Sequence, residues 1–175
     1  MSRLVTGYHG CYTDAAREIL AGGSFLPSQN GYDWLGQGIY FWEDGPARAA
    51  EWARKRFGDE GVVLQATIDL GHCLNLLDTA HFDRMERSYR EIVDAARLSG
   101  VTLPVNVRKR HELDYLVVER YCETVASRGG EAFQTVRGCF PEGSPLYTGS
   151  RILRETHIQV AVRDARQIQN LSVVH

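Results

Sequence analysis

The sequence predicts an α+β fold. Strand-like and helix-like segments are mixed along it without the regular strand–helix–strand alternation of a doubly wound sheet. At 175 residues the chain is long enough for a real hydrophobic core. Its 43% hydrophobic and 24% charged residues are an ordinary globular mixture, which excludes a disordered or fibrous chain. There is no internal repeat, no low-complexity stretch and no Pro/Ser-rich linker, so one domain over 1–175 is expected.

Residues 3–8 read as a short strand ending at His9-Gly10. Thr13 or Asp14 is expected to cap the next helix, since either side-chain oxygen can accept a free first-turn N–H. Ala15, Ala16, Ile19 and Leu20 give that helix an apolar side, and Gly22-Gly23 end it. Residues 22–37 form a loop rich in turn formers and carrying the aromatics Phe25, Tyr32 and Trp34. Gly38-Ile39-Tyr40-Phe41-Trp42 reads as a strand, broken at Glu43-Asp44-Gly45. Pro46 suits the first turn of a helix running to about Phe57.

Val62 to Leu70 is predicted as a strand and Asp78 to Leu98 as a long helix. In that helix Phe82, Met85, Tyr89, Ile92, Val93 and Ala96 recur every three or four residues. The basic run Arg108-Lys109-Arg110-His111 precedes a further helix over about Glu112 to Ala126. Phe133 to Cys139, Thr156 to Val162 and Ile168 to Val173 read as strands.

Twenty basic residues against 22 acidic ones and a pI near 6.3 argue against a generally basic nucleic-acid coat, though not against a local basic groove. Cys11, Cys73, Cys122 and Cys139 are widely separated, which suggests neither a zinc site nor a disulfide framework. Reduced thiols in a cytoplasmic protein are the expectation. The N-terminus has no apolar signal region, and no stretch is long enough to cross a membrane.

Several common chemistries are disfavoured. His111-Glu112 lacks the second His of a zinc-protease helix, so no metal is expected. Gly36-Gln37-Gly38 leads into a strand, whereas a phosphate cradle needs a helix N-terminus behind its glycines. No Gly-x-Ser-x-Gly elbow is present. Cys11 shares a strand face with His9, so a Cys–His nucleophile is conceivable. A buried, inert thiol is the plainer reading.

Three segments remain. They are Gly7-Tyr8-His9-Gly10, then Gly36-Gln37-Gly38-Ile39-Tyr40-Phe41-Trp42-Glu43-Asp44 with an Ala-rich helix behind it, and Glu155-Thr156-His157-Ile158-Gln159-Val160-Ala161-Val162. In this order and spacing they resemble the ADP-ribosyltransferase superfamily, on its diphtheria-toxin-like and poly(ADP-ribose)-polymerase-like side. The resemblance covers about half of the chain. Residues 62–135 match nothing in it, and a helical insertion within 75–130 is expected.

The resemblance implies a split antiparallel sheet flanked by helices and NAD as the ADP-ribose donor, with no metal. His9 would hydrogen-bond the adenine-side ribose, and the Gly10 backbone would hold the nicotinamide amide. Tyr40 would stack on the nicotinamide ring, beside Gly38 and Phe41. The loop from about Ser28 to Gln37, with Asn30, Asp33 and Trp34, would lie over the dinucleotide. Arg48 would line the nicotinamide pocket or simply pack, and Trp52 is read as packing. Breaking the nicotinamide–ribose bond passes through an oxocarbenium-like state that gains from nearby negative charge or an oriented dipole. Glu155 is the only carboxylate of the third segment, whereas Gln159 falls where polymerase-like members carry their glutamate. Both stay candidates for the third catalytic position.

The implied activity is mono-ADP-ribosylation of a macromolecular acceptor, RNA, DNA or protein, as in bacterial toxin or anti-phage effector domains. Such a role implies an antitoxin or immunity partner. Alternatives are an NAD glycohydrolase and a non-catalytic module that binds NAD, ADP-ribose or a protein. Arg108-Lys109-Arg110, Arg137, Arg151 and Arg154 are either solvated charges or contacts to acceptor phosphates, and Arg154 is also placed to pair with a carboxylate beside it.

Overall fold

A computed structural model describes residues 3–31, 33–107 and 110–174. Tyr32, Arg108 and Lys109, three residues singled out above, lie outside the described residues. The fold is α+β, as the sequence predicts. The strands are β1 (Leu4–Tyr12), β2 (Ile39–Glu43), β3 (Gly61–Asp69), β4 (Cys73–Asn75), β5 (Thr135–Phe140), β6 (His157–Val162) and β7 (Ile168–Val173). The helices are α1 (Thr13–Leu20), α2 (Pro46–Phe57), α3 (Phe82–Ser99) and α4 (Glu112–Ser127). The strands form one open sheet in the order β4-β5-β6-β2-β1-β3-β7. It is mixed rather than wholly antiparallel, because β4 pairs parallel with β5.

Strand alternation sorts the side chains onto two faces. Phe41, Ile68, Val160 and Val162 pack together on one face, beside the α1 cluster of Cys11, Ala16, Ile19 and Leu64. On the other face, Trp42 and Val63 pack under Ala49 and Ala53 of α2. Val136, Phe140 and Ala161 pack there under Val118, Tyr121 and Cys122 of α4. Phe41 and Trp42 are therefore core residues. Among the described residues no helix is long and apolar enough to cross a membrane.

Four local expectations change. The first strand does not end at His9-Gly10 but runs on through Tyr12, because β3 pairs with it over its whole length. Helix α1 begins at Thr13 without a side-chain cap, and the Thr13 hydroxyl instead donates to the Glu60 carbonyl at 2.8 Å. Arg137 is not a surface contact for phosphates. It lies buried and forks onto the equally buried Glu43, with Nε and Nη2 each 2.5 Å from a carboxylate oxygen. Arg154 donates to the Leu146 carbonyl at 2.7 Å rather than to the Glu155 carboxylate beside it.

The four cysteines are free. Cys11 and Cys122 are buried, and burial pushes both thiols up to about 11, which leaves Cys11 inert rather than a nucleophile. Burial also raises the Cys73 thiol, whereas Cys139 is exposed. Alkylation of the folded protein at pH 7.5 is thus expected to modify Cys139 first. Mass spectrometry showing Cys11 modified as fast would contradict this burial pattern.

Candidate active site

The first and second motif segments meet where β1 and β2 part. The Asp44 amide donates to the Thr6 carbonyl at 3.0 Å. By the alternation of an antiparallel ladder, the backbone groups of Thr6, Tyr8 and Gly10 then point toward β2. The pairing runs through Gly7↔Glu43 and Tyr8↔Trp42 and stops there. The amide and carbonyl of Gly10 therefore face a gap between two strands. In a continued ladder the Gly10 amide would meet the Tyr40 carbonyl, but His9 Nδ1 donates to that oxygen, at 2.8 Å.

A carbonyl only accepts, so this bond places the His9 proton on Nδ1 and leaves Nε2 as the acceptor of a neutral ring. Burial lowers the His9 pKa below 6.5, against the smaller opposing effect of the Tyr40 carbonyl. The ring is accordingly neutral at pH 7. Phe25 holds it edge-on at 5.2 Å and Phe41 lies 5.5 Å away.

Gly10 also has a packing reason to be glycine. A Cβ there would stand 3.0 Å from the Ala49 carbonyl and 3.1 Å from both Ala53 and Trp52 of α2. Helix α2 thus roofs the gap closely. Trp52 is 40% exposed and packs on Trp42 and Phe57, in agreement with its reading as a packing residue.

His9 and Tyr40 stand on opposite faces of the sheet, because His9 pairs across with Leu64 whereas Tyr40 pairs across with Ala161. They meet only through the Tyr40 carbonyl. The Tyr40 hydroxyl donates to the Gly36 carbonyl at 2.6 Å and accepts from the Leu35 amide at 3.1 Å. Burial, then the nearby Asp33 carboxylate, raises the phenol well above its ordinary value of 10, so it stays protonated.

The loop over residues 22–38 crosses the end of the gap from one sheet face to the other. Phe25 lies against His9 on the first face. Ser28 then bridges to Gly38 through two backbone bonds, at 2.8 and 3.2 Å. The Ser28 hydroxyl donates to Asp33 and accepts from Asn30 at 2.9 Å. Burial raises the Asp33 pKa, against the bonds from Ser28 and Asn30. Trp34 ends on the second face, edge-on to Phe140 with ring centres 4.0 Å apart. Asn30 and Asp33 thus hold the turn in shape, and Trp34 anchors it.

Two residues that the sequence reading missed lock this loop. Glu119 accepts from the Gln37 amide at 2.8 Å and from Arg163 at 2.6 and 3.0 Å. Burial disfavours the Glu119 carboxylate, but the bonds from Arg163 and Gln37 outweigh it and hold the pKa below the usual value. Gly36 sits directly against this pair. Its φ is +76°, and a Cβ there would come within 2.1 Å of a Glu119 oxygen. A carboxylate directly after the apolar run Leu116-Val117-Val118 was the available signal.

The third segment divides. Strand β6 begins at His157, so Glu155 lies just before it. Gln159 pairs with Trp42 and therefore shares the face of the Tyr40 ring, two pairs further along. Glu155 approaches Arg48 of α2, at 3.5 Å, and Arg48 also bonds Glu51 at 2.5 Å. His157 donates to the Glu155 carbonyl at 2.6 Å, and its ring lies 6.4 Å from that of Trp42. The structure thus joins Tyr40 and Gln159 on one face, and places Glu155 with Arg48 and His157 beyond Trp42.

Among the described residues no cluster of His, Cys, Asp or Glu is arranged to hold a metal ion. No protein-family model matches the chain, and no curated protein matches it significantly. Any functional reading therefore rests on this geometry and on the motif segments.

Proposed function

We propose that the protein is an NAD-dependent mono-ADP-ribosyltransferase. The observation that supports this most is the gap between β1 and β2 at His9-Gly10. A strand edge offering one N–H and one C=O is complementary to a carboxamide, which has one of each to exchange. A dinucleotide bound at the mouth of the gap, beyond the stretch that α2 closes over Gly10, meets the His9 Nε2 acceptor on one face, where a ribose hydroxyl can donate to it. It meets the Tyr40 ring on the other face, where a cationic pyridinium gains from an aromatic surface.

In this reading the bond between nicotinamide nitrogen and ribose breaks, and nicotinamide leaves with the electron pair. An acceptor oxygen or nitrogen attacks the oxocarbenium-like carbon and loses its proton to a base or to solvent. Gln159, beside Trp42 on the Tyr40 face, orients a hydroxyl through its amide. Glu155, held near Arg48, is the carboxylate that approaches from the other side of Trp42.

Gln159 also favours a second reading, a non-catalytic module that binds NAD or ADP-ribose. An amide at this position supplies a dipole but neither a negative charge nor a base. The two readings part in one experiment. Wild type, Glu155→Gln and Gln159→Ala are compared for NAD binding and for nicotinamide release with added RNA, DNA or cell protein. The transferase reading expects one of the two variants to lose roughly a hundredfold or more in release while still binding NAD. NAD binding without release by the wild type, whatever the acceptor, would leave the binding module.

A further inference from the structure

A cleft of about 440 Å³ opens between α3, α4 and the end of β5. This volume is in the range of small-molecule sites, roughly 300–1,000 Å³. Trp34, Met85, Tyr89 and Phe140 give it aromatic and thioether surface, and Glu86 and Asp114 stand in its wall. No Lys, Arg or His lines it among the described residues. Helices α3 and α4 lie in the part of the sequence that the motif resemblance leaves unexplained.

We propose that this cleft binds a small organic cation, a compact aromatic or aliphatic body carrying a protonated amine. Aromatic faces attract both apolar groups and cations, and the thioether of Met85 adapts its shape to either. The two wall carboxylates offer an ammonium acceptors, and among the described residues the lining sets no like charge against it. The positive groups that face them stand outside the lining. Arg90 lies 2.6 Å from Glu86 along the exposed side of α3, and His111 lies 3.7 Å from Asp114. An exposed pair of the first kind contributes little, so a bound ammonium can compete with it. The same carboxylates repel a phosphate or a carboxylate, which sets the cleft against nucleic-acid chemistry. The assignment is argued from the lining of the cleft and not from the NAD reading, although the two share Trp34 and Leu35 of the 22–38 loop.

The test uses the full chain and three molecules of one shape, 4-phenylbutylamine, 4-phenylbutanol and 4-phenylbutyrate, titrated calorimetrically. The amine is expected to bind roughly tenfold or more tightly than the alcohol, and the acid most weakly. In the double variant Glu86→Gln, Asp114→Asn the amine and the alcohol should bind alike. Val117→Trp, which fills the cleft, should abolish binding of all three. Met85→Trp serves as a second filler, and circular dichroism and melting identify a variant that has lost its fold. Equal binding of amine and alcohol to the wild type overturns the proposal. So does amine binding that survives a folded filler variant, or the absence of binding to the wild type.

Discussion

Replacing Arg137 by alanine is expected to destabilise the fold by about 3–5 kcal/mol, the cost of leaving one member of a buried ion pair without its partner. Arg137 and Glu43 are both almost fully enclosed, with side-chain exposures of 7% and 6%. The guanidinium forks onto the carboxylate and also reaches Asn75 at 3.3 Å. The bond to Glu43 raises the Arg137 pKa further against the effect of burial, so the guanidinium stays charged at every accessible pH. Alanine would strand the Glu43 carboxylate among core side chains. For a domain of this size the loss corresponds to roughly 6–20 °C in Tm. The double replacement Arg137→Met, Glu43→Leu should recover most of the stability, because it removes both charges together. Urea unfolding measures both variants. A loss below about 1 kcal/mol for Arg137→Ala would place the pair in a far more polar setting than the structure does.

Replacing Tyr40 has the largest expected effect on activity. Tyr40→Ala removes the ring proposed to receive the nicotinamide, and should lower kcat/KM for nicotinamide release by roughly a hundredfold or more. Tyr40→Phe keeps the ring but leaves the Leu35 amide and the Gly36 carbonyl without the hydroxyl. It should cost about 1–3 kcal/mol of stability while retaining most of the turnover. The contrast separates ring contact from loop closure. Equal losses of turnover in the two variants would assign Tyr40 to holding the loop. The phenol stays protonated through pH 10, so the pH–rate profile should show no step that Tyr40→Phe removes.

Much of the fold was legible because its elements carry strong local signals. Pro46 in the first turn and an end at about Phe57 gave α2 its observed limits. The strand expected from Ile168 to Val173 likewise has the observed ends of β7. Strand β4 was not legible, because it has three residues and is defined only by its parallel partner 62 positions away. The His9-Gly10 pair was read as a strand end. The structure keeps the strand but ends its pairing with β2 there, a distinction that lies in the neighbour rather than in the local residues. The motif segments carried the candidate site because each is contiguous. Its supports were hidden for the opposite reason. Glu119 meets Gln37 from 82 positions away, and Arg137 meets Glu43 from 94. A charged residue destined for burial looks in sequence like any solvated one until the fold supplies its partner.

The most direct test of the central claim is nicotinamide release from NAD by the purified wild-type protein, run beside His9→Ala, with RNA, DNA or protein as acceptor. The wild type is expected to show release that one acceptor class stimulates and that the variant loses while remaining folded. A wild type that neither binds NAD nor releases nicotinamide would contradict it, and the gap at Gly10 would then be a feature of the sheet alone.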